Sequence, residues 1–242
     1  MATAVGVATQ ARTARVEPPP AVGGAVPIAA GGSRPGSIVA FDAADLSRAI
    51  RRRQVSCVEV MTAYLDHIDA LNPLVNAVVN LRPRSELLAE AAEKDRLLRS
   101  GTRQGWMHGF PHAVKDLANV AGMKTTSGFF RPPFEAPVAT TDALIAERMR
   151  SAGAIFIGRT NTPELGLGSH TYDEVFGTTL NAYDQTRSAG GSSGGAAVAV
   201  ALRMVLVADG SDSFGSLRNP SGGATCPATR TCGRCGWCTG TG

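Results

Sequence analysis

The stretch Thr141-Asp142-Ala143-Leu144-Ile145-Ala146-Glu147-Arg148-Met149-Arg150-Ser151-Ala152-Gly153-Ala154-Ile155-Phe156-Ile157-Gly158 decides the fold class. Thr141-Asp142 reads as the cap of a helix running through Met149, Gly153 as its close, and Ala154–Ile157 as a short apolar strand. Helix, glycine, buried strand is the alternation of an α/β sheet. The same texture continues on both sides. Upstream, Phe110-Pro111-His112-Ala113-Val114 reads as a buried strand running straight into Lys115-Asp116. Downstream, after a polar loop, Gly190-Gly191-Ser192-Ser193-Gly194-Gly195 opens an Ala/Val-rich helix through Leu202. Val205–Ala208 reads as a further strand leading into Asp209-Gly210-Ser211-Asp212-Ser213-Phe214-Gly215-Ser216.

Further upstream the pattern is helical. Asp42 stands where it can cap Asp45, Leu46, Ala49 and Ile50. Ser56 and Glu59 match a capping box, with Val58, Met61, Leu65 and Ile68 following at helical spacing and Asn72-Pro73 as the expected end. A third helix is expected from Glu86 to about Arg99, stopping at Gly101. These helices read as an outer layer. Residues 1–38 carry Pro18-Pro19-Pro20, several Gly pairs and no amphipathic period, and are expected to be disordered.

Composition excludes several function classes. Apolar content of 43% and charged content of 18% describe a globular chain, and no apolar run approaches the ~18–20 residues that span a bilayer. The formal charge of +4 is confined to the ends. Arg12, Arg15 and Arg34 face only Glu17 in the first 38 residues, Arg230 and Arg234 face no acid after Pro220, and the stretch between is balanced. No basic and aromatic pattern tracks a phosphate backbone, so neither a nucleic-acid nor a membrane role is expected. Cys57 falls in a helical pattern and reads as a small buried apolar group, as suits a reduced cytoplasmic protein.

Chemistry concentrates at three points: a lysine at a strand end, a Gly-flanked serine pair opening a helix, and a Gly-Ser in a turn after a strand. The chain has 3 lysines (Lys94, Lys115 and Lys124) against 21 arginines, and Lys115 directly follows an apolar strand. The glycine cluster lets backbone N–H groups face an anion at a helix start. A P-loop is excluded, because no lysine follows Lys124. Gly191-Ser192-Ser193-Gly194-Gly195 also fits a nucleophile elbow, but that architecture needs its His later in the chain. All four histidines, His67, His108, His112 and His170, precede Ser193, which leaves Lys115 as the natural base. A lysine acts as a base only when neutral, and desolvation at a buried strand end favours the neutral form. It can then draw a proton through one serine hydroxyl from a second serine that attacks a carbonyl.

Together these segments resemble the amidase signature family. The resemblance rests on Pro111-His112-Ala113-Val114-Lys115-Asp116, Gly190–Gly195 and Gly210-Ser211-Asp212-Ser213-Phe214-Gly215-Ser216-Leu217-Arg218, with 24 positions from Ser192 to Ser216. Asn72-Pro73-Leu74-Val75-Asn76-Ala77 and Gly158-Arg159-Thr160-Asn161-Thr162-Pro163-Glu164 add to it, so that it covers roughly residues 40–220. It implies an α/β fold with a mixed sheet between helical layers and no metal or organic cofactor. It also implies Lys115 as general base, Ser192 as a relay serine on a cis peptide, and Ser216 as the acyl-enzyme nucleophile. The backbone amides of Ser213, Phe214 and Gly215 would form the oxyanion hole, with Ser193, Asp212 and Arg218 in support. The family usually has Gly where this chain has Phe214, and Thr where it has Ser211. The implied activity is hydrolysis of a carboxamide in a small-molecule substrate, with a homodimer allowed. A protein like the A-type subunit of an ammonia-transferring amidotransferase is the sibling reading.

After Pro220 the resemblance ends and Cys, Gly, Thr and Arg take over. Cys226, Cys232, Cys235 and Cys238 offer a zinc-knuckle reading, but all four lie within 13 residues rather than on two separated knuckles. A shifted reading frame accounts for the change of composition and the stop together. The expected organisation is a disordered segment over 1–38, a helical layer over 39–105, the amidase core with its Lys and Ser motifs over 106–220, and a divergent, frameshifted tail over 221–242. On this reading the chain as written is truncated. It is expected to expose apolar surface and to release no ammonia, or to act only as a non-catalytic pairing partner.

Overall fold

The structure is a computed structural model that describes residues 38–132 and 134–221. The expected disorder over 1–38 therefore falls outside the described residues except at Ile38. The zinc-knuckle and shifted-frame readings of the tail fall outside them except at Ser221.

Helix α1 spans Ala43–Arg51, and its N-cap Asp42 accepts the Asp45 N–H at 2.7 Å. Helix α2 spans Cys57–Val75 behind the expected capping box, with Ser56 N donating to Glu59 Oε2 at 2.8 Å and Glu59 N to Ser56 Oγ at 3.1 Å. It buries Cys57, Val60, Met61, Tyr64, Leu65 and Ile68 at the spacing of one helical face. The helix does not end at Asn72-Pro73 but runs on to Val75. Pro73 removes only one backbone donor. The ladder resumes where Asn76 N meets Asn72 O at 2.7 Å, and left-handed Asn76 (φ 52°) then closes the helix. The Asn72 side chain takes the Ala77 and Val78 N–H groups at 2.9 and 2.8 Å and turns the chain into the sheet.

That turn delivers strand β1 (Val78–Val79), which the hydrophobic pattern did not reveal. Helix α3 spans Arg84–Arg99 and packs along α2. Its buried Asp95 supplies α2 with a second cap, accepting the N–H groups of Cys57 at 2.7 Å and Val58 at 3.2 Å. Asp95→Ala is expected to lower stability by about 2 kcal/mol, since two helix-start donors lose their acceptor together. Urea unfolding of the variant against the parent checks it; an unchanged midpoint would show the cap to be dispensable.

Strand β2 is Pro111–Lys115, helix α4 is Leu144–Ser151 and strand β3 is Ile155–Thr160. Among the described residues they build a mixed sheet of order β1-β3-β2, with β2 parallel to β3 and β1 antiparallel to it. Every residue of the three strands is buried, as a sheet covered by helices requires. The register Lys115↔Thr160 brings the carboxyl ends of β2 and β3 level. The cap of α4 differs from expectation. Ala143 holds the N-cap position, because the Asp142 carboxylate is taken by Ala121 N at 2.7 Å and by Arg150 at 2.6 Å.

The loop after β3 carries a small hairpin of β4 (Tyr172–Asp173) and β5 (Gly177–Thr178). Helix α5 (Gly194–Ala201) follows and packs against all three strands of the sheet. The expected strand at Val205–Ala208 is not formed. Its neighbour β2 finds acceptors that interrupt a backbone ladder: Lys115 N donates to the Asp209 carboxylate, and His112 Nδ1 to Val207 O. The segment runs beside β2 as irregular chain.

Candidate active site

Lys115 closes β2 at the carboxyl end of the sheet, where loops of an α/β fold converge. Its side chain is 1% exposed. The Nζ atom lies 2.8 Å from Ser192 Oγ, 2.9 Å from Ser193 Oγ and 3.0 Å from Ser211 Oγ. Burial pushes the Lys115 amine down to about 8, while the nearby Asp209 and Asp212 charges oppose that fall. A neutral amine has two N–H donors and one lone pair. With three hydroxyls around it, two accept from the amine and the third donates into its lone pair.

The chain on either side of Lys115 is anchored. Asp116, 1% exposed, accepts the Thr126 N–H at 3.1 Å and the Thr126 hydroxyl, and lies 3.3 Å from Arg159 of β3. Neither this buried ion pair nor the contacts of Asp209 and Ser211 with Lys115 stood out in the sequence. The available signal was an acid directly after the strand lysine and another directly after the apolar run 205–208.

Ser192 and Ser193 arrive on the approach to α5, and the Gly191–Ser192 peptide bond is cis. The flanking glycines serve packing. A Cβ at Gly195 would lie 2.3 Å from Asn161 N and 2.7 Å from Ala77 O, so only glycine lets the first turn of α5 settle against the sheet ends. The Gly195 N–H itself goes to Asn161 O at 3.2 Å rather than facing outward to an anion.

The turn 210–218 is organised by Asp212. Its carboxylate accepts Gly215 N at 2.6 Å, Leu217 N at 3.1 Å and Arg218 N at 3.4 Å. The Arg218 guanidinium grips it in two-point fashion at 3.0 and 3.1 Å. Those bonds, led by Arg218, hold the Asp212 carboxyl well below the usual range. Ser216 is half-buried and docked through its carbonyl, which accepts Ser193 N at 3.1 Å. Its hydroxyl makes no hydrogen bond to Ser192 or to any other described residue. Of the three amides expected at an oxyanion hole, Gly215 N is committed to Asp212, whereas Ser213 N and Phe214 N donate to no described residue. Phe214 fits where glycine is usual because its backbone stays out of the left-handed region and its side chain is 99% exposed. The left-handed residue is Gly215, at φ 102°. Gly215→Ala should therefore lower stability by about 1 kcal/mol or more through backbone strain in the turn. Phe214→Ala should leave folding unchanged. Thermal melts of both variants check the contrast, which vanishes if Gly215 is dispensable.

The family model for amidases matches residues 59–226. The chain belongs to the amidase family. Among curated relatives, an acylamidase from Rhodococcus erythropolis is 39% identical over 181 residues, covering 75% of this chain and 37% of that protein. The A-type subunit of a glutamyl-tRNA(Gln) amidotransferase from Azoarcus sp. (strain BH72) is 42% identical over 178 residues, covering 73% of this chain and 36% of that protein. Among solved structures, a bacterial aryl acylamidase of the amidase signature enzymes superposes with a TM-score of 0.70 at 34% identity, over 74% of this chain and 37% of that one. The chain thus spans little more than a third of the length of these relatives. Among its described residues no helix is long and apolar enough to cross a membrane.

Proposed function

We propose that this protein is an amidase that hydrolyses the C–N bond of a small carboxamide through Ser216, Ser192 and Lys115. The observation that carries this reading is the buried Lys115 amine at 2.8 Å from Ser192 Oγ, on the carboxyl edge of the sheet and beside the Ser216 turn. Ser216 Oγ attacks the amide carbon while its proton passes to Ser192 and the Ser192 proton to Lys115. On this reading the Ser192–Ser216 hydrogen bond forms when substrate is seated, as catalytic hydrogen bonds of apo sites commonly do. The developing oxyanion is met by the N–H groups of Ser213 and Phe214, which donate to no described residue, while Asp212 and Arg218 hold the turn. The Lys115 ammonium then returns its proton through Ser192 to the leaving nitrogen. Water repeats the sequence on the acyl-enzyme and releases the carboxylate.

On the same reading the amidase works in the cytoplasm, on a small-molecule substrate, without a cofactor, nucleic acid or a membrane, and a homodimer is allowed. The balanced charge between residues 39 and 220 supports the lack of a nucleic-acid partner. The organisation proposed is a helical layer over 39–105 leading into a catalytic core over 106–220. Identity of 42% to the Azoarcus amidotransferase protein favours a second reading, in which this chain serves an ammonia-transferring complex. An ammonia-release assay over small amides, run on the chain extended by the further length that its relatives carry, separates the two. Release by the protein alone, lost in Lys115→Ala and in Ser216→Ala, supports the amidase. Absence of release, or release that survives both substitutions, overturns it.

A further inference from the structure

Where β2 meets the segment leading to Ser211 and Ser216, the junction is made by two side chains, His112 and Asp209. The His112 imidazole is 0% exposed, with Nδ1 3.0 Å from Val207 O and Nε2 3.2 Å from Asp209 Oδ1. Asp209 is buried as well, and its two oxygens take the Lys115 N–H at 3.1 and 3.2 Å. Three bonds thus fix the register between the strand end that carries the amine and the turn that carries the serines.

The acceptor count settles where the protons lie. A carbonyl oxygen can only accept, so Nδ1 carries a hydrogen. Nε2 then faces a carboxylate oxygen, and a bare lone pair there would oppose another lone pair in a buried site. The contact is attractive only with a proton between the two groups. The pair therefore holds one proton more than a neutral imidazole beside a free carboxylate, and its net charge is zero.

We propose that His112 is a positioning residue that shares a proton with Asp209, so that Asp209 can dock the strand end at Lys115 while its pull on the amine is partly offset. The proposal rests on the reading of Lys115 as the base. Other charges facing this corner have partners of their own. Asp212 is held by Arg218, and Asp116 lies 3.3 Å from Arg159, which also feels Asp209. The element packed on the other side of His112 offers the uncharged Phe156 ring, centred 6.0 Å away. Within hydrogen-bond reach, compensation of Asp209 falls to His112, and Arg159 adds a more distant positive charge.

The chain has only 3 lysines, which makes a direct test practical. With lysine labelled by carbon-13 at Cε, and Lys94→Arg and Lys124→Arg used for assignment, NMR follows the Lys115 titration while the other two resonances report folding. His112→Gln leaves Asp209 charged and is expected to raise the Lys115 midpoint by about one unit. Asp209→Asn is expected not to raise it, and the double variant to return it to within about 0.3 unit of the parent. A midpoint that is unchanged or lowered in His112→Gln overturns the proposal. So does a double variant that stays as high as His112→Gln. Should His112→Gln fail to fold, His112→Asn makes the same comparison, and a rise in Asp209→Asn alone also overturns it. None of these readings needs turnover. A protein whose hydrolysis ignores Lys115 would sink the amidase mechanism and leave the His112–Asp209 pair standing. An active enzyme with no shift would do the reverse.

Discussion

Lys115→Ala and Ser216→Ala, made in the chain extended by the length its relatives add, are each expected to lower amide hydrolysis by about a thousandfold or more, because one removes the proposed base and the other the proposed nucleophile. Lys115→Arg should not rescue activity, since a guanidinium stays protonated and cannot accept the proton relayed by Ser192. The expectation rests on geometry. Lys115 Nζ touches the hydroxyls of Ser192, Ser193 and Ser211, while the His112 imidazole is engaged by Val207 O and Asp209. Ammonia release by purified variants decides the matter, with labelling of Ser216 by a serine-reactive phosphonate as a second readout. If His112→Ala abolished turnover while Lys115→Ala retained it, the lysine mechanism would be wrong.

Activity should also fall steeply on the acid side. Burial depresses the Lys115 amine to about 8, and only its neutral form can take the proton. Below that value the neutral fraction drops about tenfold per pH unit, so kcat/KM at pH 6 should be about a hundredfold below its plateau. The sign is diagnostic. A carboxylate base would place the fall some units lower, near its own ordinary range. A profile of kcat/KM from pH 5 to 9 that stays flat would rule out a lysine base. In the His112→Gln variant the same limb should move toward alkaline pH together with the Lys115 resonance.

Some of this site was legible because its signals are local. An apolar strand ending in one of three lysines, and a Gly-flanked serine pair opening an apolar helix, can be read without knowing what lies opposite. The capping residues Asp42, Ser56 and Glu59 act within one helical turn, so they too read correctly. Asp142 did not, because its choice between capping α4 and bonding Ala121 and Arg150 depends on chain about twenty residues back and on the far end of the helix. The run Val205–Ala208 has the apolar content of a strand, yet Asp209 takes the Lys115 N–H that a ladder would have used. Asp209 and Arg159 were missed for the same reason, since their partners lie 94 residues away at Lys115 and just past the end of the neighbouring strand at Asp116.

The sequence by itself determined the kinds of element and the chemistry available: helices with their caps, two buried strands, a strand-end lysine, a serine pair and a glycine-serine turn. Those follow from side-chain period, backbone preference and pKa, which belong to short stretches of chain. Only the tertiary structure decided which hydroxyls surround Lys115, that the Gly215 amide bonds the Asp212 carboxylate, and that His112 and Asp209 lock the turn to the strand. These outcomes are competitions among acceptors brought together from distant positions, and burial sets the winner by making every unpaired polar group costly.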